Sequence, residues 1–359
     1  ISKYINNKKS SDSLCKITCR NLIQAGLIDE AKELCYSIND STLSVLQAEL
    51  FWWEGKFNKC IDFSSSNIET NKDPGFFSSR GIGYFFIGRW DEALTNLTKC
   101  VEDTENNDIY ILYISYCVLA TINGIRGINI QLSVKHFISS LNFAKSTKDP
   151  SCISLVYGNL GEILWKSGYY RESESVLLPA SEISYLSNND ALYYEINRNL
   201  VHVYRKLGKY EEEKKSASII ERCLEIEGSY TKMQVINSLI THRIFHKKEY
   251  RLLMDLAEEL TLGNQEYYIY TLANKSYSNL SINRIDDATV YMEKSLSLSL
   301  KGNNYLSIKQ CLDDWNILCE KYCNNEINSK EVFPRYYSFL EKRLLPNLYH
   351  WESIFSYFQ

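Results

Sequence analysis

The chain has 359 residues, of which 45% are hydrophobic, with 5 prolines, 15 glycines and a formal net charge of −4. A single hydrophobic core rarely grows past about 250–300 residues, so the length calls for two domains or a repeat array, and so few prolines and glycines leave little room for linkers or a strand-and-turn fold. A mildly acidic chain does not present the general basic face that nucleic-acid binding requires.

No run of about 18 apolar residues is present, so no membrane span is expected. The opening Ile1-Ser2-Lys3 is no signal peptide; it also lacks an initiator methionine, which leaves room for a preceding domain. The 11 cysteines are an odd number, unevenly spaced, and none forms a Cys-x-x-Cys pair. They read as buried, reduced thiols of a cytoplasmic protein. Asn96-Leu-Thr98 and Asn279-Leu-Ser281 match the glycosylation sequon but carry no meaning without a secretory signal.

Taken in chain order, one short pattern recurs: a glycine or polar turn, an apolar residue, then acidic and small residues. It is read at Gln24-Ala-Gly-Leu-Ile-Asp-Glu-Ala31, Trp53-Glu-Gly-Lys-Phe-Asn-Lys-Cys60, Ile87-Gly-Arg-Trp-Asp-Glu-Ala93, Lys166-Ser-Gly-Tyr-Tyr-Arg-Glu-Ser173 and Lys206-Leu-Gly-Lys-Tyr-Glu-Glu-Glu213. Weaker copies follow at His246–Tyr250 and Asn283–Ala288. The apolar residue after the turn falls at Ile28, Phe57, Trp90, Tyr170, Tyr210, Tyr250 and Ile285, with gaps of 29, 33, 80, 40, 40 and 35. Ile130, after a longer turn, divides the gap of 80 into two of 40. Between these markers the apolar residues keep helical spacing, as in Ala31, Leu34, Cys35 and Ile38 or Leu94, Leu97 and Val101. Acids at Asp29-Glu30 and Asp91-Glu92 sit where the dipole of a helix start favours them.

These residues resemble the tetratricopeptide repeat family over roughly residues 12–300. Its unit is a pair of antiparallel helices with small residues at their crossing and an aromatic opening the second helix. The crossing position of the first helix holds Cys19, Ala48, Gly81, Gly161, Val201, Thr241 and Ser276. That of the second holds Ala31, Cys60, Ala93, Ser133, Ser173, Glu213, Leu253 and Ala288. Small side chains let two helices approach closely. Glu213 and Leu253 depart from the pattern, and their pairs are expected to splay or shift. The resemblance implies an all-α, right-handed α-solenoid of about eight helix pairs, in which stacking of neighbours supplies the core.

After residue 305 the marker stops. Tyr305–Cys323 reads as one helix, and Pro334 and Pro346 open two more, as proline does in a first turn. Trp351, Ile354, Phe355 and Phe358 form an i, i+3, i+4, i+7 stripe. The expected division is a repeat array over residues 1–305 and a C-terminal helical cap over 306–359. The stripe would then cover the last repeat, the alternative being an exposed docking helix.

In such arrays the first helices line the concave side. Counted from the marker, one inward position holds Arg20, Glu49, Ile82, Glu162, His202 and His242, with Arg198, Arg205 and Lys206 beside it by helical spacing. Asn159 and Asn199 match one another 40 residues apart, and their amides can both donate to and accept from a peptide backbone. The expected peptide-binding set is therefore Asn159, Glu162, Arg198, Asn199, His202, Arg205, Lys206 and His242; ordinary solvated helix faces are the alternative. Some relatives clamp a terminal carboxylate with a lysine–asparagine set. Lys16 fits one slot here, but Arg20 and Leu46 hold the next, so that mode is not expected.

His242 and His246, four apart on one helix, have the spacing of metal ligands. Arg243 follows the first of them where the zinc-protease pattern has glutamate, so no metal and no cofactor are expected. Gly-x-x-x-x-Gly-Lys-Ser/Thr, Gly-x-Ser-x-Gly and Gly-x-Gly-x-x-Gly are all missing, and no enzyme is expected. The function expected is a cytoplasmic protein- or peptide-binding module, similar in repeat length to sensor arrays of bacterial regulators. A structural scaffold, or the regulatory arm of an enzyme whose catalytic part lies elsewhere, is the alternative. The sequence leaves the partner and the oligomeric state open.

Overall fold

The structure is a computed structural model. It describes residues 8–24, 27–37, 44–70, 73–102, 108–225, 229–262, 264–323 and 327–358. The fold is an all-α solenoid, with no strand among the described residues. Eight helix pairs follow one another: α1 (Lys8–Gln24) with α2 (Ile28–Ser37), α3 (Ser44–Trp53) with α4 (Phe57–Ile68), α5 (Gly75–Phe86) with α6 (Trp90–Glu102), and α7 (Ile109–Arg126) with α8 (Ile130–Ser146). Then come α9 (Pro150–Ser167) with α10 (Tyr170–Leu186), α11 (Asp190–Leu207) with α12 (Tyr210–Glu221), α13 (Ser229–Phe245) with α14 (Arg251–Thr261), and α15 (Gln265–Ser281) with α16 (Ile285–Lys301). The apolar marker of the sequence opens the second helix in seven pairs; in the seventh, Tyr250 is the residue just before it.

The turns explain why the marker is so regular. Gly88 has φ +78° and Gly168 φ +106°, the left-handed conformation that ends a helix cheaply only at glycine. The next amide then reaches back five residues, Arg89 to Tyr84 O (2.9 Å) and Tyr169 to Leu164 O (2.9 Å). Lys247 and Asn283 take the same conformation without glycine's freedom, with Lys248 N bonding to Arg243 O and Arg284 N to Asn279 O. One residue on, the second helix begins. The fourth pair has the longer turn: Gly127 is left-handed and Asn129 Oδ1 accepts from Leu132 N at the start of α8.

At the crossings, small residues do more than allow approach. A thiol or hydroxyl on one helix donates to the carbonyl opposite: Cys19 to Ala31 O, Cys60 to Ala48 O, Ser133 to Ala120 O, Ser173 to Gly161 O and Ser276 to Ala288 O. These groups are buried, so each bond satisfies a donor that would otherwise be desolvated at a cost. Glycine is needed where a side chain arrives instead. A Cβ on Gly161 would lie 2.4 Å from Leu177 Cδ2, and one on Gly81 2.7 Å from Leu97 Cγ. All eleven cysteines are buried and unbridged.

The described chain divides into two compact units, one of Ile1–Leu119, Ser139–Ile153 and Glu182–Ala191, the other of Ala120–Ile138, Ser154–Ser181 and Leu192–Gln359. In the first, Cys19, Ile23, Ala31, Cys35, Leu46 and Leu50 form a core with a neighbouring cluster around Val45, Phe76 and Ile111. One helix, α7, is long and apolar enough to cross a membrane by length and composition, and 67% of it is buried within the fold.

In the second unit α17 (Tyr305–Tyr322) packs on α15 and α16 and takes the place after the last pair. The chain then runs through Ser329–Val332 and Pro334–Phe339, a π-helical turn Leu340–Leu344, and Leu345–Leu348 to α18 (Glu352–Phe358). This segment does not cover the last repeat, as the sequence suggested. Trp351 is fully buried against Phe137 of α8, ring centroids 6.2 Å apart, and Phe355 meets Tyr169 edge-on at 5.4 Å. Tyr169 Oη donates to Leu348 O (3.3 Å), and Gln131 bonds His350 (3.2 Å). Leu344 fills the space above Gly127, which has no side chain to obstruct it. The apolar stripe thus seals the fourth and fifth pairs, the surface that best matches it, while α17 closes the array. Phe358's side chain lies outside the described residues.

Candidate functional site

In the second unit, first helices of successive pairs and α17 enclose a cleft of about 340 Å3. Trp165 and Lys166 come from α9, Arg198 and His202 from α11, Asn237, Ser238 and Thr241 from α13, Tyr267 and Tyr270 from α15, and Gln310 from α17. The repeat makes this arrangement: the same turn of each first helix faces the same way, so residues far apart in sequence form one wall.

A chain of charged and polar groups runs along that wall. Glu162 Oε2 accepts from Arg198 Nη2 (2.7 Å) and Glu162 Oε1 from Lys166 Nζ (2.5 Å). Lys166 also donates to Tyr270 Oη (3.0 Å), which bonds Ser307 Oγ (2.6 Å). Burial alone would raise the Glu162 pKa, but Arg198 and Lys166 outweigh it and hold the carboxyl at about 2. The same carboxylate keeps Lys166 charged, above the usual lysine range, against the desolvation that opposes it. Glu195, one turn before Arg198 and part-buried, is pushed up to about 7 by burial, with Arg198 pulling it down and Glu162 adding repulsion.

The aromatic side of the cleft is ordered too. Trp165 stacks on His202, centroids 4.6 Å apart and planes 3° apart, while its Nε1 donates to Asn199 Oδ1 (3.1 Å). His202 Nε2 bonds Ser238 Oγ (2.8 Å). Burial and the cations Arg205, Arg198, Lys206 and Lys166 lower the His202 pKa well below 6.5, so the ring is neutral. Arg198 Nε, His202 Nδ1 and Gln310 Oε1 are buried without a hydrogen-bond partner among the described residues. Two cations share one firmly ionised carboxylate here, and buried polar atoms without partners are costly. The arrangement suits a ligand group that brings negative charge and hydrogen-bonding atoms.

Of the residues singled out in the sequence, Glu162, Arg198 and His202 meet at this cleft, and Asn199 stands behind it as the acceptor for Trp165. Asn159 lies off the cleft, its amide donating to Leu155 O one turn back while its oxygen accepts from Thr121. Arg205 and Lys206 turn away from it. Arg205 Nε donates to Glu213 Oε1 (2.9 Å), and Lys206 Nζ pairs with Asp314 Oδ1 of α17 (2.7 Å), both pairs deeply buried. His242 Nδ1 also faces Glu213 Oε1 (2.9 Å). These three therefore depart from the expected groove set: Glu213 occupies the crossing position, and its buried carboxylate draws in Arg205 and His242. Lys166, Tyr270 and Gln310 are the residues that sequence reasoning passed over. Only Lys166, next to the best-conforming turn, left a local signal.

The first unit has a cleft of about 440 Å3 built from the inward row read in the sequence, Arg20, Glu49 and Ile82, with Trp52, Trp53, Tyr110 and Tyr113. Its charge is already closed: Arg20 grips Glu49 through two nitrogens (3.2 and 2.8 Å) and Asp108 through a third (2.7 Å).

No family model matches the chain, and no curated protein matches it in sequence. A crystal structure of a Rap protein complexed with competence and sporulation factor superposes with a TM-score of 0.61 at 16% identity, covering 95% of this chain and 100% of that one. At that identity the likeness establishes the helical-repeat fold alone.

Proposed function

We propose that this chain is a peptide-binding helical-repeat module, acting by holding its ligand rather than transforming it. The observation that carries this reading is the convergence of three unpartnered buried atoms, Arg198 Nε, His202 Nδ1 and Gln310 Oε1, on one cleft. A cleft of this size receives one side chain or a terminus rather than a long segment. With Lys166 and Arg198 balanced by Glu162 alone, the favoured group is a carboxylate, from an acidic side chain or a C-terminus, which arginine grips well. The similarity to a Rap protein solved with a bound factor is in keeping with a binding role. Eleven unbridged thiols suit a reducing, cytoplasmic setting.

The test is selection from a peptide library on the full chain, followed by titration of retained peptides in free-acid and amidated forms. Losing a charge-assisted contact costs about 1.5–3 kcal/mol, or roughly ten- to a hundredfold in Kd. Arg198→Ala should weaken binding by that factor, and Lys215→Ala, on the exposed face of α12, should leave it unchanged. Equal binding by all three proteins would remove the cleft from consideration.

A further inference from the structure

We propose that Glu213, His242 and His246 form a binding site for a divalent transition metal of the zinc type. The triad shares no residue with the cleft above and does not rest on its function. His242 and His246 stand one turn apart on α13, and the sequence set them aside because Arg243 follows. In the structure Arg243 points elsewhere: its guanidinium donates to Glu249 O (2.9 Å) and Glu221 Oε1 (3.0 Å). The third donor, invisible at 29 and 33 residues' remove, is Glu213 at the start of α12.

The geometry is close to that of a three-ligand site. His242 Nδ1 lies 2.9 Å from Glu213 Oε1, His246 Nε2 lies 3.0 Å from Glu213 Oε2, and a donor atom from each residue falls within 4.8 Å of the other two. With zinc–nitrogen and zinc–oxygen bonds of about 2.0–2.1 Å, tetrahedral ligand atoms stand roughly 3.4 Å apart. Each imidazole therefore has to retreat by only a few tenths of an ångström, exchanging a proton shared with the carboxylate for a metal bond. Two imidazoles and one carboxylate favour zinc and its neighbours over calcium or magnesium. The His246 side chain is 30% exposed while Glu213 is fully enclosed, which gives the ion a way in and leaves a fourth position to water.

The surroundings support the ligands. Arg205 Nε bonds Glu213 Oε1 (2.9 Å) and fixes the carboxylate from behind, as outer groups do at metal sites. Burial keeps His242 below its ordinary pKa despite the hydrogen bond to Glu213, so its lone pair is available at neutral pH. Arg205 and Lys321 add positive charge nearby, so the affinity should fall short of a closed four-ligand structural site. A carboxylate at this position also breaks the small-residue rule that Ala, Ser and Cys follow at the other crossings, and an ion-binding role accounts for that exception.

The experiment uses the full chain dialysed against Zn2+ and, separately, Co2+. The expected results are one bound ion per chain and a tetrahedral Co2+ absorption spectrum without a sulfur-to-cobalt charge-transfer band. His246→Ala, a part-exposed change that leaves the Arg205–Glu213 pair intact, should weaken retention more than about tenfold, the least seen for loss of outer-shell support. His350→Ala, at the Gln131 contact, should not. Circular dichroism of each variant checks that it is folded. Absence of retained metal, a thiolate band, or equal retention by folded His246→Ala would each overturn the site and leave the triad a hydrogen-bond network only.

Discussion

Trp165 and His202 lie ring on ring, 4.6 Å apart, joining α9 to α11 at the wall of the cleft. The imidazole is neutral because burial and four nearby cations oppose a further charge, and this makes Trp165 a reporter. The part of the emission lost in Trp165→Phe should stay flat from about pH 5 to 8, since a histidine in water titrates near 6.5. It should respond when a carboxylate peptide binds. A protonation step near pH 6.5 in that difference signal would mean that the ring is solvated and the cleft open.

Glu162 is the single carboxylate between Lys166 and Arg198. Glu162→Gln leaves two buried cations unneutralised, and breaking such a set costs about 3–5 kcal/mol. Because the folded pKa is depressed to about 2, the stabilisation is present above the unfolded value of about 4.3 and fades as pH falls toward 2. Chemical denaturation of parent and variant should differ fully at pH 7 and converge in acid. A constant difference would refute the ionic account.

Glu195 carries the opposite sign. Its folded pKa, about 7, lies above the unfolded value, so its favourable contribution is complete below about pH 4.3 and is lost as pH rises to 7. Glu195→Gln should therefore melt with the parent near pH 4 and progressively above it by pH 8. Identical pH profiles would place the carboxyl in solvent.

Two glycines separate conformational from steric demands. Gly88→Val meets no neighbour within 4 Å but keeps φ +78°, and should cost about 1–2 kcal/mol. Gly161→Ala has ordinary helical backbone but drives a methyl into Leu177, with about 1–3 kcal/mol for overpacking. Pairing Gly161→Ala with Leu177→Ala should recover part of that loss, whereas no partner change should rescue Gly88→Val. Thermal and urea melts decide both.

Removing residues 334–359 uncovers Phe137 and the Gly127 turn. The shortened chain should bind a hydrophobic dye or aggregate, and Trp351→Ala alone should cost about 3–5 kcal/mol. An unchanged melt for both would make the segment a free arm.

The periodicity was readable because two local rules enforce it, a left-handed turn and a crossing of small residues, and both leave marks within a few positions. Glu162, Arg198 and His202 followed from counting along the repeat. What escaped detection came from outside the period. Gln310, Ser307 and Asp314 sit on α17, and nothing near Lys206 announces that Asp314 will be its partner. Trp351 was legible as part of an apolar stripe, but its destination on Phe137 depends on how distant surfaces match. Glu213 was visible as an exception, yet its partners on α13 emerge only when the pairs stack.

The hydrogen bonds across the crossings bear on how this chain can change length. They join residues 12 apart in the first, second, fifth and eighth pairs and 13 apart in the fourth, whereas successive markers are spaced anywhere from 29 to 40. Spacing inside a hairpin is therefore nearly fixed, and spacing between hairpins is free. Insertions and deletions should be accepted at the outer helix ends, where one pair hands over to the next. A single residue added between Gly161 and Ser173 would rotate the second helix by about 100°, since 3.6 residues complete a turn, and carry Ser173 away from its carbonyl. Genetic drift in such an array is channelled to the joints between units, and the hairpins pass through it unchanged.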